Sequence, residues 1–106
     1  MGLVHVFGNK PVPKILDFLR VHRYWDYPLS EIEETTGVSY RTLQVVIPEL
    51  VRLAIVKETR TVGNAKLYQI NFKSPAVQKL NAFALECDLE FAEKQSSVRL
   101  KTPALA

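Results

Sequence analysis

The segment SEIEETTGVSYRTLQVVIPELVRL, from Ser30 to Leu53, constrains the fold more than any other. Ser30 followed by Glu33 has the spacing of a capping box, in which each side chain answers the other residue's free amide. A helix is therefore expected from Glu31 to about Thr36, with Ile32 turned inward. Gly37 can adopt the left-handed conformation that ends a helix at low strain. Val38 then offers an apolar plug, and Ser39 can cap a second helix. In that helix Leu43, Val46, Ile47 and Leu50 define one buried stripe. Tyr40, Arg41, Gln44 and Val45 are left on its other faces. Pro48 lacks the amide that would bond to the Gln44 carbonyl, so one kinked helix is expected here, at a cost of about 3 kcal/mol.

After Leu53 the period changes from helical to alternating. AIVKETRTVGNAKLYQINF holds Ile55, Lys57 and Thr59 before, and Ala65, Leu67 and Gln69 after, a Gly63-Asn64 turn signal. This predicts a two-stranded hairpin ending between Asn71 and Pro75. Upstream, LVHVF at residues 3–7 reads as a short strand ending at Gly8 and Asn9. The next segment, PVPKILDFLRVHR, reads as a helix, because Pro11 and Pro13 suit a first turn whose amides lack partners anyway. Its apolar stripe is Ile15, Leu16, Phe18 and Leu19, and YWDYPLS supplies a short extended piece.

From Ala76 to Lys94 the pattern is helical again, with Val77, Leu80, Ala84, Cys87 and Phe91 recurring at spacings of three and four. Phe83, Leu85 and Leu89 widen the apolar surface beyond what one small domain needs. The stripe Val77, Leu80, Ala84, Cys87 and Phe91 is therefore expected to pack on a second copy of the chain. The expected class is α+β, a helix-turn-helix followed by a hairpin wing, with a long C-terminal dimerisation helix. Residues 1–75 would form the compact domain, 76–95 the dimerisation helix and 96–106 a flexible tail.

Length and charge narrow the function. A chain of 106 residues holds one domain and relatively little core. Its net charge of +3 is unevenly placed: residues 1–38 carry −1, residues 39–73 carry +4 and the remainder is neutral. The cationic middle third favours an anionic partner. The single cysteine, Cys87, allows neither an intrachain disulfide nor a thiolate metal cluster. Its apolar neighbours make a buried small hydrophobe the expected role. His5 and His22 lack nearby metal-ligand partners, so no metal and no cofactor are expected. With no Gly-rich phosphate loop and no nucleophile beside an evident base, an enzyme is not expected. No apolar run approaches the roughly 20 residues of a membrane span, and the N-terminus does not read as a signal peptide, so a cytoplasmic protein is expected.

The stretch PLSEIEETTGVSYRTLQVVIPELVRLAIVKETRTVGNAKLYQIN, from Pro28 to Asn71, resembles the winged-helix transcriptional regulators common in archaea. The similarity extends over roughly residues 15–89. Its most specific parts are the Gly37 turn, the Pro48-Glu49-Leu50 step and the VGNAKLYQIN hairpin. The resemblance implies a homodimeric DNA-binding repressor or activator. It places Tyr40, Arg41, Thr42 and Gln44 on the groove-reading helix, and Arg60, Asn64 and Lys66 on or beside the wing, where Lys57 could also reach phosphate. The chemistry of these residues agrees with such roles. Arg41 can engage guanine bidentately, Gln44 can pair with adenine, and Tyr40 or Thr42 can hold a phosphate or a thymine methyl. Two reading helices one DNA turn apart would match an inverted repeat. The competing expectation is a winged helix used as a protein-interaction or architectural module, favoured if Tyr40, Val45 and Pro48 form an exposed apolar patch.

Overall fold

In the computed structural model, which describes the backbone of residues 2–105 and the side chains of residues 2–91, the expected helical pair and hairpin are present. The elements are α1 (Gly2–Phe7), α2 (Pro11–Val21), β1 (Tyr27–Pro28), α3 (Leu29–Thr36), α4 (Tyr40–Arg52), β2 (Val56–Val62), β3 (Ala65–Ile70) and α5 (Pro75–Leu105). The three strands form an antiparallel sheet in the order β1-β3-β2, with the hairpin as its body and β1 as its short edge. This is an α+β winged helix-turn-helix.

Local chemistry accounts for the central turn. Gly37 closes α3 at a φ of 76°, and its amide donates to the Glu33 carbonyl at 2.8 Å. The Ser39 hydroxyl accepts from the Thr42 amide at 3.2 Å and so caps α4. Val38 is buried between the two helices' ends. Leu43, Ile47 and Leu50 of α4 enter a core that also contains Ile15, Leu16, Phe18 and Leu19 of α2, Ile32 of α3, and Val56 and Ile70 of the sheet. Pro48 sits inside an unbroken helix. Beyond α4 the chain turns sharply at Ala54, which has a φ of 60°, and the Asn71 side-chain amide donates to the Ala54 carbonyl at 2.8 Å.

Two expectations from sequence change here. Residues 3–7 form the helix α1 and not a strand. Five residues are too few for alternation to distinguish the two periods, and a distant carboxylate decides the matter. Asp17 of α2 accepts from the amides of Leu3 at 3.2 Å and Val4 at 2.9 Å, satisfying donors that the first turn of a helix leaves without partners. The second change concerns Ser30 and Glu33. The helix α3 begins at Leu29 with Pro28 at its cap position, so Ser30 lies inside it and no capping box forms. Glu33 instead accepts from the Tyr40 amide at 3.0 Å and ties α3 to the start of α4.

The helix α1 lies against α5 and uses the stripe expected to mediate dimerisation. Val77, Ala84 and Cys87 are buried within the chain, and Leu80 and Phe91 are half-buried. Gly2 sits so near Ala84 that a Cβ would fall 2.2 Å from the Ala84 carbonyl oxygen. Farther along, the His5 and Phe91 rings meet edge-on at 5.3 Å. The stripe Val77, Leu80, Ala84, Cys87 and Phe91 is thus an internal seam, because the N-terminal residues read as a strand supply a helix that covers it. The backbone of residues 96–105, assigned from sequence to a flexible tail, continues α5 to Leu105.

Asp17 also holds Arg20, whose Nε donates to Oδ1 at 2.9 Å, and both side chains are almost wholly buried. Removing one partner of a buried pair costs about 3–5 kcal/mol, since the other charge stays desolvated. Arg20 retains Asp88 at 3.7 Å and Asn81 at 3.4 Å, which places Asp17→Ala near the lower end, about 3 kcal/mol. Urea denaturation followed by circular dichroism checks this value.

Candidate nucleic-acid interface

The outward side of α4 and the tip of the hairpin enclose a groove of about 380 Å³. Its walls are Tyr40, Gln44 and Pro48 from α4, Pro28, Leu29 and Ser30 from β1 and α3, and Asn64, Ala65, Lys66 and Tyr68 from the wing. Four residues anticipated from sequence, Tyr40, Gln44, Asn64 and Lys66, therefore meet in one concavity. Their positions follow from the buried stripe of α4. Once Leu43, Ile47 and Leu50 face the core, the helical period directs Tyr40, Gln44 and Pro48 outward.

Arg41 is exposed beside the groove, and among the described residues no carboxylate pairs with it. Thr42 is engaged within the fold. Its hydroxyl shares a 2.9 Å hydrogen bond with that of Ser39, within the cap of α4. Val45 is 71% exposed and Tyr40 44% exposed, so the outward face of α4 also has an apolar share.

The wing cations divide between two faces. Along β3, Lys66 and Tyr68 point to the groove, whereas Leu67 and Gln69 alternate to the opposite side. Lys57 is the cross-strand partner of Gln69, and Arg60 that of Leu67, so both lie on the side away from the groove. A bulge between Glu58 and Arg60 inserts Thr59 as an extra residue. Without it, Arg60 would share the face of Glu58 and Tyr68. The structure therefore does not bring Arg60 and Lys57 together with Gln44 and Lys66.

Two of these cations are also internally neutralised. Asp26 accepts from Arg60 Nε at 3.0 Å and from Nη2 at 3.2 Å, and Thr59 donates to the same carboxylate. The hydrogen bond from Arg60, joined by that from Thr59, holds the Asp26 carboxyl below its ordinary pKa. Lys66 lies 3.7 Å from Glu58. Tyr68 is shifted upward, first by burial and then by Glu58 and Tyr40, so its phenol remains a hydrogen-bond donor on the groove wall. The sequence reading missed Asp26, Glu58, Ser30 and Tyr68. The alternation of Lys66 with Tyr68 was the available signal for the last of these.

Cys87 is buried, and burial followed by the nearby Glu90 and Asp88 raises its thiol pKa. Among the described residues no three His, Cys, Asp or Glu side chains group as metal ligands, and no helix is long and apolar enough to cross a membrane.

No protein-family model and no curated protein matches the sequence. The fold is similar to that of the crystal structure of M. tuberculosis Rv0081, with a TM-score of 0.60 over 88% of this chain and 91% of that chain, at 21% identity. The likeness is one of fold.

The Asp26–Arg60 pair has a defined pH signature. Because the folded-state pKa of Asp26 is depressed, its stabilisation is fully present above the ordinary value of 3.8 and is lost as the pH falls through the lowered one. Arg60→Met is expected to return the Asp26 midpoint toward 3.8, as read by carboxyl NMR titration.

Proposed function

We propose that this protein is a sequence-specific double-stranded DNA-binding transcriptional regulator that acts as a homodimer on an inverted repeat. One observation carries the reading: the outward residues of α4 and the tip of the wing line a single groove in which Gln44, Asn64, Lys66 and Ser30 supply polar groups. A duplex offers a matching pair of surfaces, because α4 can enter the major groove while the wing meets the adjoining backbone. Arg41 and Gln44 are the base readers, with Tyr40 beside them. Lys66, Asn64 and the hydroxyls of Tyr68 and Ser30 take phosphate oxygens. Thr42 contributes by holding the end of α4 in place.

The second copy is expected on the side of α5 that α1 leaves open. Ala82, Leu85 and Leu89 recur at spacings of three and four there, with Leu85 51% and Leu89 63% exposed. Phe7 and Phe83, whose rings lie 6.4 Å apart, add exposed apolar surface at the edge of the seam. A helix that is apolar on two sides buries both. One side meets α1, and the other suits the α5 of a partner copy. The exposed Val45 beside Tyr40 and Pro48 favours a second reading, in which this face docks on another protein in a replication, segregation or transcription assembly.

Selection from random duplex DNA separates the two readings. An enriched inverted repeat with half-sites about one helical turn apart supports the regulator, and no binding at low salt supports the protein-docking module. Arg41→Ala is expected to weaken the selected site by about 1–3 kcal/mol per half-site and relax one base position. Lys66→Ala is expected to weaken all duplexes alike, flattening the salt dependence by a slope of about 0.9 per half-site. Leu85→Asp with Leu89→Asp is expected to yield a folded monomer by sedimentation.

A further inference from the structure

The side of the hairpin away from the groove carries its own constellation. Between α2 and β1 the chain exposes Tyr24 at 75% and Trp25, the sole tryptophan, at 67%. Arg23 precedes them and is held between two rings. Its Cζ lies 4.2 Å from the Phe72 ring centroid and 4.8 Å from that of Tyr24, and Nη2 donates to the Tyr24 hydroxyl at 2.8 Å. The Gln69 side-chain amide donates to the Arg23 carbonyl at 2.8 Å, which anchors the turn to β3. Lys57 is the cross-strand partner of Gln69, and Lys73 follows Phe72. Among the described residues none of Arg23, Lys57 and Lys73 pairs with a carboxylate. Asp26, the acidic residue next to Trp25, is already engaged by Arg60 and Thr59.

We infer that Arg23, Tyr24, Trp25 and Lys57 form a binding surface for single-stranded nucleic acid. Two neighbouring exposed rings offer π faces on which unpaired bases stack, and the Arg23 guanidinium beside the Tyr24 ring adds a positive charge to that platform. The flanking cations match the phosphates of such a strand. A duplex does not fit this chemistry, because its bases are already stacked on one another. Trp, Tyr and Arg also dominate protein hot spots. The cationic rim without a free carboxylate favours a polyanion that itself carries flat rings. This inference does not rest on the groove reading, since none of these four residues lines the groove.

The probe is a thymidine homopolymer of about twenty nucleotides at low salt, with the emission of Trp25 as the reporter. Saturable quenching of wild-type protein is expected. By anisotropy of the labelled oligonucleotide, Tyr24→Ala and Trp25→Ala are each expected to lose roughly tenfold in affinity. Lys57→Ala is expected to flatten the salt dependence by a slope of about 0.7. Duplex affinity of the Tyr24 and Trp25 variants is expected to stay within about twofold of wild type, well below the effect of losing one stacked base. Circular dichroism confirms that these surface variants fold. The inference is overturned by absent quenching, by variants that bind the homopolymer as wild type does, or by parallel loss of duplex binding. Quenching by polyglutamate equal to that by the homopolymer also overturns it and identifies an acidic protein surface as the occupant. Failure of the wild type to bind any duplex would count against the groove alone.

Discussion

The arrangement of the N-terminal half depends on one carboxylate. Asp17 accepts from two amides at the start of α1 and from the guanidinium of Arg20, and Arg20 reaches onward to Asn81 and Asp88 of α5. One buried polar cluster thus fixes the relation of α1, α2 and α5, three helices that are not consecutive in space by chain order alone. Hydrophobic burial would tolerate α1 at several rotations and depths, whereas two directed hydrogen bonds to consecutive amides select one. The close contact of Gly2 with the Ala84 backbone is compatible with that placement and with few others. The seam on α5 is filled within the chain as a result.

A second constraint acts on the wing. A single inserted residue, Thr59, reverses the facing of Arg60 relative to regular alternation and carries its charge to the side where Asp26 waits. The ion pair and the bulge support each other: the bulge brings the guanidinium within reach, and the carboxylate gives the turned strand a partner. The hairpin consequently presents two unlike surfaces. One continues the groove from α4 with polar groups, and the other extends into the aromatic turn at Tyr24 and Trp25.

These features explain what was legible in the sequence. The Gly37 turn, the Ser39 cap, the stripe of α4 and the Gly63-Asn64 hairpin are governed by residues close together in the chain, and local pattern suffices to read them. Tyr40, Gln44, Asn64 and Lys66 came with them, because the buried stripe and the turn position determine where they point. The features that were not legible depend on distant partners. The strand reading of residues 3–7 failed because the amides of Leu3 and Val4 are answered by Asp17, far along the chain. The Ser30–Glu33 box failed because Glu33 has a better donor in the Tyr40 amide, which lies across the turn. Arg60 lies on the wing as expected, but its facing depends on the bulge at Thr59, and Asp26 gives no sequence signal of its pairing.

Charge counted along the chain therefore overstates the field that a polyanion would meet. The net +4 of the middle third already offsets Glu49 and Glu58, which hold Arg52 and face Lys66, and Asp26 binds Arg60 from outside that segment and removes one charge more. For each such pair a phosphate must compete with an existing carboxylate, so the gain is a difference between two ion pairs and not the full value of one. Arg41, Lys57 and Arg23 have no such competitor, and their locations differ: Arg41 beside the groove, the other two on the opposite side of the wing. On the proposed readings, weak general attraction combined with a few uncompensated cations would put more of the discrimination on directed contacts, from Gln44 and Arg41 on one surface and from the exposed rings of Tyr24 and Trp25 on the other. In a chain this small, exposed aromatic and polar groups held by the fold can distinguish ligands that bulk charge alone would bind alike.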